Sequence, residues 1–274
     1  MQTIIIGKRS NLSEHLQSAI DGAISVSVCN AEQTLATLDW SRTQSVNLIL
    51  NQFQPASRLN DLRSPIEYID NSILSTAKIL NSIQAHSTRI NKIIYTSSSS
   101  VYGNNPSCSE TDLPVPNSLH AILKLSNEKL LSHFCQDHSI NLTIARVFNM
   151  YAGKDNFSII SKIIRAIEQR QNINLINQGS AIRDFIHIDD VINAYQQILL
   201  VKQTDPIINI ASGQGLSVAM ILDYLEEQNI IFSTYNIKQD EIQTSVANND
   251  RLLALIGQYN FRSVKDYVLN KLKA

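Results

Sequence analysis

His120 and Lys124 lie four residues apart near the middle of this 274-residue chain, a short way after a run of hydroxyls, Thr96 to Ser100. In a helix that spacing puts both side chains on one face. Leu119, Ile122, Leu123, Leu130, Leu131 and Phe134 recur around them at helical spacing, which predicts a helix there. An imidazole titrates near neutrality, at about 6.5 when unperturbed. An ammonium one turn away lowers that value and keeps the ring neutral, the form in which it can act as a general base. As a lone residue, His120 has structural duty as the alternative. The hydroxyls follow Ile93, Ile94 and Tyr95, three β-formers, and so stand at the carboxyl end of a predicted strand. In an open α/β sheet, ligands bind at that end.

The elements needed to position these groups can be read in order. Thr3–Ile6 predicts the first strand, Asn11–Ile20 a helix, Ala23–Val28 a second strand and Val46–Leu50 a third. Pro65–Ala85 predicts one long helix with Ile66, Ile69, Ile73, Ala77, Leu80 and Ile83 on its buried side. Asn141–Val147 predicts another strand. Alternation of this kind argues a Rossmann-type, doubly wound parallel sheet over residues 1–150. Past Met150 the pattern shifts to a helix near Phe157–Glu168, strands at Ile173–Ile176 and Ile207–Ile210, and helices capped by Asp189 and Ser217. Residues 151–274 therefore read mainly as a small α/β substrate-binding lobe, with elements returning to the core sheet.

A hydrophobic content of 43% provides for a sizeable core. The net charge of −1 argues against a nucleic-acid partner. No run approaches the ~20 apolar residues of a membrane span, and no signal-peptide pattern opens the chain. Cys29, Cys108 and Cys135 lack metal-ligand spacing and read as reduced thiols, so no metal and a cytoplasmic location are expected.

Ser97-Ser-Ser-Ser-Val-Tyr-Gly103, followed by His120, Lys124 and Glu128, resembles the extended short-chain dehydrogenase/reductase family. Its nucleotide-sugar epimerases and dehydratases carry Ser-Ser-x-x-Val-Tyr-Gly and then Tyr-x-x-x-Lys-x-x-x-Glu. The Tyr position here holds His120. The resemblance implies Ser98, His120 and Lys124 as catalytic, with Ser99 beside the substrate. It also implies NAD or NADP as cofactor, a nucleotide sugar as substrate, and a homodimer formed through Pro65–Ala85 and Leu119–Phe134. Further matches are Arg146-Val-Phe-Asn149-Met-Tyr151, Gly179 to Asp190 and Asn209 to Gly213. They imply substrate contacts from Asn149 and a diphosphate grip from Arg183, whose alternative is a salt bridge to Asp184 or Asp189.

The cofactor half departs from the family. Gly-x-x-Gly-x-x-Gly becomes Gly7-Lys-Arg-Ser10-Asn-Leu-Ser13, and Val28-Cys29-Asn30 offers no carboxylate for the adenosine ribose. The resemblance places Gly7, Arg9, Ser10, Asn11, Leu12, Asp39, Trp40, Asn71 and Lys124 at the cofactor, with Arg9 either on a 2′-phosphate or solvated. Ser10 and Ser13 add a Cβ where close approach is wanted. The function expected is an NAD(P)-dependent epimerase, dehydratase or reductase acting on a nucleotide sugar. One alternative is an inactive member serving as a binding protein. Another is an NADP reductase acting on something other than a sugar, which an internally paired Arg183 would favour.

Overall fold

The computed structural model describes residues 1–41, 45–51 and 64–274. The chain begins β1 (Gln2–Ile6), α1 (Asn11–Ala19), β2 (Ile24–Val26), α2 (Val28–Ala36), β3 (Val46–Leu50), α3 (Pro65–Ile69), a π-helical turn (Asp70–Leu74), α4 (Ser75–Ile83) and β4 (Ile90–Ser98). It continues β5 (Ser107–Cys108), α5 (Leu119–Asp137), β6 (Asn141–Val147), β7 (Asn149–Tyr151), α6 (Ile159–Glu168), β8 (Asn172–Ile176), β9 (Ile182–His187) and α7 (Ile188–Leu200). It ends β10 (Ile207–Ile210), β11 (Gly215–Ser217), α8 (Val218–Glu227), β12 (Ser233–Ile237), β13 (Thr244–Ala247), α9 (Asp250–Ile256) and α10 (Val264–Lys273). Two compact units result. The first comprises residues 1–103, 114–146 and 192–208, and the second the remainder.

The first unit is built on a six-stranded sheet of order β10-β6-β4-β3-β1-β2. β1 pairs in parallel with both β2 and β3, and β3 with β4. Every residue of β3 is buried, the pattern of a strand covered on both faces. Ile4, Ile6, Leu48, Leu50, Ile79, Ile83, Ile93 and Leu131 form its core with Trp40. The chain leaves β1 towards β2 on one side and returns as β3 on the other. The carboxyl ends of β1 and β3 thus frame the point where strand order reverses, the place where such sheets take ligands. Lys92 of β4 is buried, and its Nζ donates to the Ile198 and Val201 carbonyls at the end of α7. It neutralises the negative end of that helix.

In the second unit a five-stranded sheet runs β11-β9-β13-β5, with β7 also on β9, and β12 pairs with β8. Asp184 of β9 is fully buried. Its carboxylate accepts from the Ser212 amide and hydroxyl, the Gly213 amide and the Ala247 amide, which ties β9 to the turn after β10 and to β13. Among the described residues no helix is long and apolar enough to cross a membrane.

Several predicted elements are corrected. β2 is shorter than Ala23–Val28, because Val28 already opens α2. The helix expected as one piece over Pro65–Ala85 is broken by the π-helical turn. Ile66 and Ile69 are exposed, whereas Tyr68, Ser72, Thr76 and Ile79 are buried. Asp189 is not a cap: α7 starts directly after β9, and the Asp189 amide donates to His187 Nδ1 inside its first turn. Ser217 does cap α8, accepting from the Met220 amide.

Candidate functional site

The turn from β1 into α1 brings the first group of predicted residues together. Gly7 has φ +119°, and a Cβ there would lie 2.0 Å from the Asn51 carbonyl oxygen. Only glycine fits that close approach between the ends of β1 and β3. Ser10 is the N-cap of α1 and accepts from the Ser13 amide. Its hydroxyl also donates to Ser13 Oγ at 2.9 Å. Asn51 Nδ2 donates to Ser10 Oγ at 2.8 Å and to Ser13 Oγ at 2.7 Å. The serines at the two lost glycine positions are thus tied to the end of β3, and buried Ser13 fills the helix–strand contact with a hydrogen-bonded group.

The turn keeps groups that could receive an anion. Gly7 holds the turn, and the Leu12 amide in the first turn of α1 makes no hydrogen bond among the described residues. A helix start of that kind is an anion cradle. Lys8 and Arg9 are exposed beside it. The residues expected at the adenosine end have partners of their own or are exposed. Asp39 accepts from the Ser41 amide and hydroxyl. Trp40 is buried, donates Nε1–H to the Leu35 carbonyl and stacks on His86 at 4.7 Å. Asn71 is exposed within the π-helical turn.

The second group lies where α5 packs on β4 and the turn after it. Ser118 caps α5 by accepting from the Ala121 amide. The buried face of α5 carries Lys124, Asn127 and Glu128 among Ala121, Leu123 and Leu131. Lys124 is only 4% exposed. Its Nζ donates to the Thr96 carbonyl at 2.7 Å and lies 5.1 Å from the Tyr95 ring centre. Burial lowers its pKa from 10.5 to about 7, with Glu128 opposing. His120, half-buried one turn earlier, forms no hydrogen bond among the described residues. Burial first, and then the Lys124 charge, lower its pKa to about 4, so the ring is neutral at physiological pH. Ser98 Oγ accepts from the Ser100 amide and hydroxyl. Ser99 is half-buried in the same turn.

The neighbouring motif residues have structural partners. Ser97 Oγ donates to Glu128 Oε1. Arg146 donates to both oxygens of Glu128 through Nε at 3.1 Å and Nη2 at 2.7 Å. Its guanidinium lies 4.7 Å from the Tyr102 ring centre. Asn127 Nδ2 donates to Ser72 Oγ at 2.9 Å, fixing α5 to the π-helical turn. Sequence reading missed Asn51 and Asn127. The only signal for Asn51 was a polar residue ending an apolar strand.

In the second unit, a cavity of about 710 Å³ is lined by Asn149, Phe157, Lys162, Arg183, Phe185 and Glu241, among others. Arg183 donates to the Ile182 carbonyl through Nη1 and to Glu241 Oε2 at 3.3 Å through Nη2. It therefore faces the cavity and is also paired, but with Glu241, not with Asp184 or Asp189, the partners of the alternative reading. Asp184 is taken by Ser212, Gly213 and Ala247. Asp189 lies 3.6 Å from both His187 and Arg262. Asn149 Nδ2 donates to the Asp184 carbonyl. Lys162 and Glu241 are charged groups of this cavity that the sequence reading did not place there. Among the described residues no cluster of His, Cys, Asp or Glu could hold a metal ion.

Residues 5–211 match the sequence model of the NAD dependent epimerase/dehydratase family. Protein CapI of Staphylococcus aureus is 30% identical over 157 residues, which is 56% of this chain and 46% of that protein. UDP-glucose 4-epimerase of Rhizobium leguminosarum bv. trifolii is 26% identical over 232 residues, 74% of this chain and 70% of that protein. UDP-glucose 4-epimerase of Halalkalibacterium halodurans is 24% identical over 204 residues, 66% of this chain and 60% of that protein. The chain thus spans roughly half to two thirds of these relatives. Its fold is similar to the crystal structure of UDP-glucuronic acid 4-epimerase from Bacillus cereus in complex with UDP-glucuronic acid and NAD. The TM-score is 0.85 at 21% identity, over 100% of this chain and 98% of that one.

Proposed function

The chain belongs to the NAD-dependent epimerase/dehydratase family, and from that membership we propose that it acts on a nucleotide sugar as an epimerase, dehydratase or keto-reductase, with Ser98, His120 and Lys124 carrying the chemistry. The observation that carries this reading is Lys124. An ammonium that burial holds near pKa 7, one turn from a neutral imidazole, is costly to a fold and useful to a reaction. NAD or NADP, when bound, supplies hydride transfer. Gly7, Arg9, Ser10, Asn11 and Leu12 would hold its pyrophosphate, Asp39 and Trp40 its adenine, and Asn71 and Lys124 its nicotinamide end.

In the proposed reaction Ser98 orients the sugar hydroxyl. The hydroxyl proton passes to a ring nitrogen of His120, and Lys124 stabilises the negative charge that develops on the sugar oxygen. A ring whose conjugate acid sits near 4 is a weak base, so turnover is expected to be slow. We assign nucleotide-sugar binding to the second unit, through Asn149 and Arg183. The Arg183–Glu241 pair favours a different reading, an NADP reductase acting on something other than a sugar. Homodimer formation through α3–α5 is proposed on the exposed Ile66, Ile69, Leu74 and Ile122.

Isothermal titration with NAD, NADP and a panel of nucleotide sugars tests the proposal. Dinucleotide and sugar-nucleotide binding, with a rate lost on His120→Ala, supports it. No dinucleotide binding up to millimolar ends the redox reading. Binding with no rate in the native protein leaves the inactive one.

A further inference from the structure

The cavity of the second unit carries a counter-charge of its own. Among its lining residues the charged side chains are Lys162, Arg183 and Glu241, so the wall as a whole bears a single net positive charge. Glu241 is not a loose surface carboxylate that happens to reach Arg183. One of its oxygens accepts from Arg183 and the other accepts from Asn177 Nδ2 at 3.2 Å. Asn177 also donates to the Gln239 carbonyl and accepts from the Gln239 amide. Next to it, the Gln178 amide donates to Asn236 Oδ1.

The turn making these bonds has three successive residues at positive φ: Asn177 at 44°, Gln178 at 60° and Gly179 at 70°. Non-glycine residues held there are strained and persist only where surrounding bonds over-determine them. The strained turn and the segment it staples therefore fix Glu241 against Arg183.

We propose that Glu241 is a specificity-determining residue that sets how much negative charge this cavity accepts. A ligand phosphate has to share or displace the carboxylate to reach the Arg183 fork. A diphosphate meets like charge from Glu241, whereas an uncharged nucleoside does not. The inference rests on the nucleotide-sugar reading and adds to it a penalty against the diphosphate that the fold has built in.

The test is calorimetric titration of the full chain and of Glu241→Gln with UDP, CDP and GDP and the matching nucleosides. Glu241→Gln is expected to tighten binding of at least one diphosphate about tenfold or more while leaving its nucleoside unchanged. Adding Arg183→Met to Glu241→Gln is expected to abolish the gain. A native chain that binds a diphosphate with an affinity Glu241→Gln does not alter overturns the inference and leaves the nucleotide-sugar reading standing. So does an equal gain for diphosphate and nucleoside, which marks a merely structural effect. No binding of any diphosphate or nucleoside to either form up to millimolar overturns both.

Discussion

Replacing Lys124 by Met should make the protein more stable at neutral pH and less so as the solution becomes alkaline. The lysine gives up its proton near 7 in the folded chain, against 10.5 for an ordinary lysine. Between those values the unfolded chain binds more protons, so wild-type stability rises with pH across that window. Below about 7 both states are protonated and the full cost of burying the ammonium stands. At about 1.4 kcal/mol per pH unit the cost has a ceiling of about 5 kcal/mol. Methionine fills nearly the same volume without charge but leaves the Thr96 carbonyl without its Nζ–H donor, a loss of about 1–3 kcal/mol. The expected net gain is about 2–4 kcal/mol at pH 6.5, shrinking to nothing or reversing near pH 10. Urea midpoints of both proteins at pH 6.5, 8 and 9.5 measure it, and titrations elsewhere in the chain cancel in the difference. Lys124→Met no more stable than wild type at pH 6.5, or a gap that stays constant with pH, refutes the reasoning.

The other expectations concern separate parts of the molecule. Any turnover should fall on the acid side as His120 is protonated near 4 and on the alkaline side as Lys124 is deprotonated near 7; a pH–rate profile shows both limbs. His120→Tyr should raise the rate about tenfold or more and move the acid limb upward, because a phenol must ionise to act as base. Gly7→Ala should cost more than about 3 kcal/mol, seen in thermal melts, since its Cβ meets the Asn51 carbonyl and φ is positive. Asp184→Asn should cost about 2–4 kcal/mol in urea unfolding, because an amide cannot replace both oxygens of a carboxylate that accepts from three backbone amides and a hydroxyl.

What the sequence revealed followed from local rules. Val46–Leu50 is buried on both faces and reads as an unbroken apolar run, and Ser217 starts α8 where a cap belongs. The face of α3 was misread because a π-helical turn inserts one residue and shifts the helical phase by about 100°. Ile66 and Ile69 consequently turn to solvent, and Tyr68 and Thr76 turn inward. The polar side of α5 was legible in part. Lys124 and His120 stood out by spacing, but burial of Asn127 and Glu128 depends on Ser72 and Arg146, partners no periodicity announces. Glu241 reaches Arg183 across 58 residues of chain and carries no local mark of doing so.

The departures from the family pattern differ in how the fold answers them. Ser10 and Ser13 are met by Asn51, which donates to both hydroxyls, so the lost glycines leave no unsatisfied group on those side chains. Glu241 is met by Arg183 and Asn177. His120 has no hydrogen-bonding partner among the described residues, and the ammonium beside it penalises its protonated form. A histidine kept for structure would be expected to donate or accept a bond. Lys124 donates to the Thr96 carbonyl, yet burial still lowers its pKa from 10.5 to about 7, with Glu128 opposing. Burial thus penalises the charged forms of both groups to which the reaction is assigned. A methionine at position 124 that improved stability and left turnover intact would break that argument at its centre.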